Sequence, residues 1–156
     1  VYINDISEDR LKDVSAKYKA EVVAADAMFG LDIDVYAPCA LGGTVNDDTL
    51  SKLKCRVICG AANNQLLNEK VHGEAVGKQG ILYAPDFVVN AGGIINVYYE
   101  LEGYNRERAL AHAEKIYGTT ADIIRIAKSE GIPTYMAANR IAEQRIEAIA
   151  KINSVL

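Results

Sequence analysis

Two spacings of apolar residues run through this chain. Short β-rich runs at residues 1–6, 21–24, 33–37, 56–60 and 81–84 predict five strands. Pro38 and Pro85 stop the third and fifth, because proline has no N–H to give to a ladder. Between the runs the period lengthens to that of a helix. Ser7 predicts an N-cap with Glu8 and Asp9 in the positive first turn, and Leu11, Val14 and Tyr18 share one face. Shorter helices are expected near residues 47–53 and 68–79, the second ended by Gly80. From residue 91 the pattern is helical throughout. One helix spans 91–101 and stops at Gly103. Asn105 then caps a long one along Ala109, Ala113, Ile116, Thr120, Ile123, Ile124 and Ala127. Gly131 and Pro133 end it. Thr134 is placed to cap the last helix, whose stripe is Ala138, Ile141, Ala142, Ile146, Ile149 and Ile152.

Strands alternating with helices imply an α/β fold with a mostly parallel sheet covered on both faces. Composition narrows the class. With 156 residues, half of them hydrophobic, and a net charge of −4, the chain suits one domain with a sizeable core. No apolar run approaches the ~18–20 residues that span a bilayer, and no signal-peptide pattern is visible. Net acidity without a Lys/Arg block argues against nucleic acid as a partner. Three Cys and two His make a disulfide framework or structural zinc improbable, so a reduced cytoplasmic protein is expected. His72 and His112, on helices with polar neighbours, read as surface residues.

In parallel sheets of this kind ligands sit beyond the carboxyl ends of the strands, so the residues following each strand are the candidates for chemistry. After the first comes Asp5, suited either to ribose hydroxyls, which would favour NAD over NADP, or merely to capping the next helix. After the third comes Pro38-Cys39-Ala40-Leu41-Gly42-Gly43, small residues that let backbone approach a flat ligand. Cys39 has no sequence-near histidine to activate it, and suits a packing role against a cofactor. Cys55 and Cys59 read as core packing. After the fourth comes Gly60-Ala61-Ala62-Asn63-Asn64-Gln65, whose three carboxamides each offer donor and acceptor. They suit a nicotinamide amide or an amino-acid carboxylate, or else a solvated turn. After the fifth comes Asn90, ahead of a helix opened by Ala91-Gly92-Gly93, with bare N–H groups at its positive end. Ile94 and Val97 would line an apolar pocket beside it or simply pack the core, and Ile95 reads as core.

The strings Asp34-Val35-Tyr36-Ala37-Pro38-Cys39-Ala40-Leu41-Gly42, Ala62-Asn63-Asn64-Gln65-Leu66, Tyr83-Ala84-Pro85-Asp86 and Asn90-Ala91-Gly92-Gly93-Ile94-Ile95-Asn96-Val97 together resemble the Glu/Leu/Phe/Val dehydrogenase family. Gly103-Tyr104-Asn105-Arg106-Glu107-Arg108-Ala109 and Ala138-Asn139-Arg140-Ile141-Ala142-Glu143 extend the likeness over essentially the whole chain. The resemblance implies NAD-dependent, reversible deamination of an L-amino acid, with L-leucine or a similar branched-chain amino acid the best fit, to a 2-oxo acid and ammonia. Hydride passes from the substrate α-carbon to the nicotinamide, and a lysine of lowered pKa activates the water that releases ammonia. By the same likeness Asp5 is the ribose acid, and Cys39, Ala40, Leu41 and Ala61 line the cofactor. Asn63, Asn64 and Asn90 reach nicotinamide and substrate, Asn64 on the substrate side, while Ile94 and Val97 enclose a branched side chain. A homo-oligomer is expected, with no membrane, nucleic-acid or metal partner.

The chain departs from the family pattern in one large respect. It carries no glycine-rich G-x-G-x-x-G turn, and none of its Lys residues, such as Lys52, Lys54, Lys70 or Lys78, follows a strand. The expected fold is therefore a Rossmann-type doubly wound parallel sheet lacking its first strand and glycine-rich loop, followed by carboxyl-terminal helices. Residues 1–103 would form the incomplete cofactor domain, and 104–156 the helices that pack on it and on an interdomain hinge. In the strand order 3-2-1-4-5-6 the absent first strand is central. Strands sit ~4.8 Å apart, so its neighbours would face each other across roughly twice that distance with unpaired backbone groups. On this reading the chain is part of a longer polypeptide that carries the lysine base. The rival reading is a non-catalytic nucleotide-binding or assembly module.

Overall fold

The structure is a computed structural model that describes residues 1–153. Its elements run β1 (Tyr2–Ile3), α1 (Glu8–Tyr18), β2 (Glu21–Val22), α2 (Ala25–Met28), β3 (Val35–Tyr36), α3 (Asp47–Leu50) and β4 (Val57–Ile58). They continue as α4 (Glu69–Lys78), β5 (Leu82–Tyr83), α5 (Asp86–Val89), α6 (Gly92–Leu101), α7 (Arg106–Glu130) and α8 (Thr134–Asn153). All five strands stand where the apolar runs place them, though only two residues of each join a ladder. The single-turn helices α2 and α5 are additions, too short to leave a periodic signal.

Every strand pair is parallel, in two separate sheets: β1–β2, and β3–β4–β5 in that order. Among the described residues no ladder joins β1 to β3, so the break falls where the strand count places the gap. The core lies on the three-stranded side. Ile58, on the central strand, is fully buried among Tyr36, Val45, Leu53, Leu66, Val76 and Tyr83. A second cluster joins α7 to α8 through Ile123, Ala127, Ala137 and Ala138. The long helix α7 buries Ala109, Ile123 and Ala127 of its predicted stripe and half-buries the rest, and Gly131 ends it in the left-handed region at φ 67°.

The side-chain caps expected at Ser7 and Asn105 form, each accepting a backbone N–H from the first turn that follows, and Asn68 caps α4 in the same way. Other expectations are corrected. Helix α1 buries none of its residues, because two strands give its face of Leu11, Val14 and Tyr18 too narrow a floor. Thr134 lies inside α8 and caps nothing; its hydroxyl donates to the Tyr83 carbonyl at 2.6 Å, pinning the helix to β5. His72 is buried. Its ring folds back along α4 so that Nδ1 accepts the Asn68 N–H at 2.9 Å, while Nε2 lies 3.4 Å from an Asp47 carboxylate oxygen. His112 is exposed as read. The apolar stripe of α8 is covered only at Ala138 and Ile141; Ala142, Ile146, Ile149 and Ile152 are exposed. No helix among the described residues is long and apolar enough to cross a membrane.

Candidate functional site

At the carboxyl ends of β3, β4 and β5 three loops converge, and the first two are stitched together backbone to backbone. Gly43 N–H donates to the Asn64 carbonyl at 2.7 Å, Val45 N–H to Gln65 at 3.0 Å, and Leu67 N–H back to Val45 at 3.0 Å. Glycine permits this closeness. A Cβ on Gly42 would stand 2.5 Å from the Asn63 carbonyl oxygen, and one on Gly60 only 2.1 Å from that of Pro38. The stitching turns Asn64 into the left-handed region at φ 53°, a conformation asparagine tolerates better than most residues.

The third loop meets the second through side chains. Asn90 Nδ2 donates to Asn63 Oδ1 at 2.6 Å and to the Ala61 carbonyl at 3.3 Å. Behind this contact lies a buried polar cluster. Gln65 is fully buried, and its Nε2 donates to the carbonyls of Gly60 at 2.7 Å and Ala62 at 3.0 Å. Asp86 opens α5; its Oδ2 accepts the Gln65 N–H at 2.8 Å and its Oδ1 the Phe87 N–H at 2.6 Å. Tyr83 Oη accepts the Asp86 N–H at 3.2 Å. Burial pushes the Tyr83 hydroxyl well above the ordinary tyrosine range, with the facing Asp86 carboxylate adding to the shift, so it stays a neutral phenol.

The structure thus brings Ala61, Asn63 and Asn90 into direct contact, with Asn64 beside them on the same exposed rim. Cys39, Ala40 and Leu41 stand exposed on the adjoining loop. Cys55 is buried and Cys59 half-buried. Burial raises the thiol pKa of both, which fits packing rather than nucleophilic chemistry. Ile94 and Val97 lie on the exposed side of α6, Ile94 at 72% exposure, and Ile95 is half-buried. Asp5 lies just past β1 of the other sheet, where its Oδ1 accepts the Ser7 N–H at 2.8 Å. Gln65 is corrected from rim to core. It is the carboxamide that faces inward, and the run of three gives no sign of which one would turn. Asp86 was missed altogether, although an Asp directly after a strand-ending proline is the available clue. A cavity of about 510 Å³ lies elsewhere, between α4, β5 and the α7–α8 turn, and none of the candidate residues lines it.

The loops offer carboxamide donors and acceptors on an open rim. Next to them, the start of α6 carries Gly92 and Gly93, where an added Cβ would meet nothing within 4 Å. Such a rim fits a flat amide-bearing ligand with an anionic portion. Leucine dehydrogenase of Bacillus cereus is 49% identical over 152 residues, which are 97% of this chain and 41% of that protein. Phenylalanine dehydrogenase of Bacillus thermotolerans is 44% identical over 98% of this chain and 41% of its own length. The crystal structure of L-tryptophan dehydrogenase from Nostoc punctiforme superposes with a TM-score of 0.92 at 44% identity, covering 96% of this chain and 45% of that one. The chain therefore spans about two fifths of the curated relatives it matches. Residues 2–153 also match the family model for Glutamate/Leucine/Phenylalanine/Valine dehydrogenase, and to that family the chain belongs.

Proposed function

We propose that this chain is the cofactor-binding part of an NAD-dependent L-amino-acid dehydrogenase acting on L-leucine or a similar branched-chain substrate. The observation that carries the reading is the Ala61–Asn63–Asn90 contact at the mouth of a parallel sheet, in a chain 49% identical to a leucine dehydrogenase. NAD, when bound, accepts the hydride from the α-carbon of the amino acid. This chain's part is to bind and orient. Asn63 and Asn90 hold the carboxamide end of the cofactor, with Ala61 as the small floor beneath it. Cys39, Ala40 and Leu41 cover the adenosine side. Asp5 receives the ribose hydroxyls through Oδ2, its Oδ1 being engaged by Ser7. Asn64 meets the substrate, and Ile94 with Val97 shapes the side-chain pocket. The lysine that activates water belongs to a part of the polypeptide outside this sequence. Residues 1–103 form the cofactor domain, and 104–156 the helices that pack on it and on an interdomain hinge. The full protein works in the cytoplasm as a homo-oligomer.

The test uses the full-length polypeptide. NAD should bind in strong preference to NADP, and Asp5→Ser should erode that preference. An unchanged cofactor ratio in steady-state kinetics rejects the role given to Asp5. Ile94→Ala and Val97→Ala should cut leucine turnover roughly 10- to 200-fold relative to smaller substrates, the size expected for methylene-scale contacts. Identical profiles for leucine, valine and phenylalanine would remove the pocket assignment. Absence of any NAD-linked amino-acid oxidation overturns the reading as a whole.

A further inference from the structure

We propose that Asp86 is a positioning residue for the dinucleotide site, holding Asn63, Asn64 and Asn90 in register from behind. The inference rests on the cofactor reading above and adds a residue which that reading does not use. Helix α5 is a single turn fastened at both ends to the same loop. At its start, Asp86 Oδ2 takes the Gln65 N–H at 2.8 Å, while Oδ1 takes the Phe87 N–H. At its end, Asn90 donates its N–H to the Asp86 carbonyl at 2.9 Å and extends Nδ2 to Asn63 at 2.6 Å.

The two fastenings differ in kind. Asp86 is 9% exposed and bonds through a carboxylate out of water, so its bond to Gln65 is charge-assisted and costly to break. The Asn63–Asn90 bond is exposed and joins two neutral amides, so water or another amide replaces it at little net cost. The weak bond is the one a ligand carboxamide would exchange with, and the strong bond keeps the loop in place while that exchange happens. Gln65 adds to the hold, because its Nε2 clasps the carbonyls of Gly60 and Ala62 on either side of Ala61. Position 86 needs a carboxylate. Two backbone N–H donors face it, and an asparagine would turn its NH₂ toward one of them.

The experiment is a double-mutant cycle in the full-length polypeptide with Asp86→Asn, Asn63→Ala and the pair, reading NAD affinity by fluorescence titration. Asp86→Asn should weaken NAD binding by about tenfold or more, the scale of losing a buried charge-assisted bond. The pair should bind no worse than the weaker single variant, since both act through Asn63. Undiminished binding in Asp86→Asn, or losses that multiply, overturns the proposal, because an effect on stability alone would leave the two independent. If Asp86→Asn does not fold, Asp86→Glu takes its place with the same expectation, because its extra methylene moves the carboxylate off the Gln65 N–H. If the unmutated protein binds no dinucleotide, the cofactor reading falls, and a crystal structure of the Asp86 variant decides the present point. A loop 61–66 displaced from Asn90 supports it, and a loop in its original position with the 2.6 Å contact intact overturns it.

Discussion

The β1–α1–β2 unit and the β3–β4–β5 unit are built from the same strand–helix alternation, yet only one of them encloses a core. Around β4, Ile58, Val45 and Val76 are sealed from solvent by helices and neighbouring strands. Around β1, the strand residues Tyr2 and Val22 are about half exposed, and α1 buries nothing. The local signals are equally good in both, since Ser7 caps α1 as Asn68 caps α4. What differs is the width of the sheet. A central strand with a partner on each side gives its helices a floor, and a two-stranded ribbon does not. Periodicity marks which residues are able to be buried, and the number of adjoining strands decides whether they are.

That contrast can be broken by substitution. The largest effect is expected at Ile58→Ala, which opens a cavity in the central strand and should cost about 2–5 kcal/mol in urea unfolding. The counterpart Val22→Ala should stay within about 0.5 kcal/mol, as befits a half-exposed position. Equal losses at the two sites would erase the distinction. Next in size is Gly73→Ala. Its Cβ would stand 2.4 Å from the Tyr135 ring where α4 meets α8, so a loss of about 1–3 kcal/mol is expected in the same assay. Gly77→Ala, one turn further on with nothing within 4 Å, should be neutral or stabilising by up to ~1 kcal/mol. A modest loss of about 0.5–1 kcal/mol is expected for Ser7→Ala, which removes the α1 cap. Amide hydrogen exchange should register it in residues 8–18 while protection at Ile58 is unchanged, since the two units unfold separately in this picture. Loss of protection at both would show them to be one cooperative body.

How far the sequence carries follows the same division. Strand positions, caps and helix stops were legible because each is settled within a few residues: Gly80, Gly103 and Gly131 all adopt positive φ where their helices end. The rim asparagines were legible because their place after a strand follows from topology. Most of the failures lie in contacts that cross the chain. Thr134 could cap its own helix but is claimed by Tyr83, fifty-one positions away. Gln65 and Asp86 are paired across twenty-one residues, and polar composition alone gives each the look of a surface residue. His72 is hidden because its ring serves the start of its own helix while packing toward α3. The family likeness proposes roles for residues that spacing leaves open, without indicating what stands behind them.

The amino-terminal turns of helix α8 are tied to β5 and α4. Thr134 bonds β5, Tyr135 lies against Gly73, and Asn139 reaches Glu69 on α4, whereas residues 143–152 are exposed. Twenty residues at ~1.5 Å each make a rod about 30 Å long, anchored beside the strand that leads into Asp86. Leverage follows from that length: a swing of ten degrees at the fulcrum sweeps the distal tip through ~5 Å. A rotation at that anchor too slight to disturb the loops around Asn63 would be magnified at the exposed end of the helix.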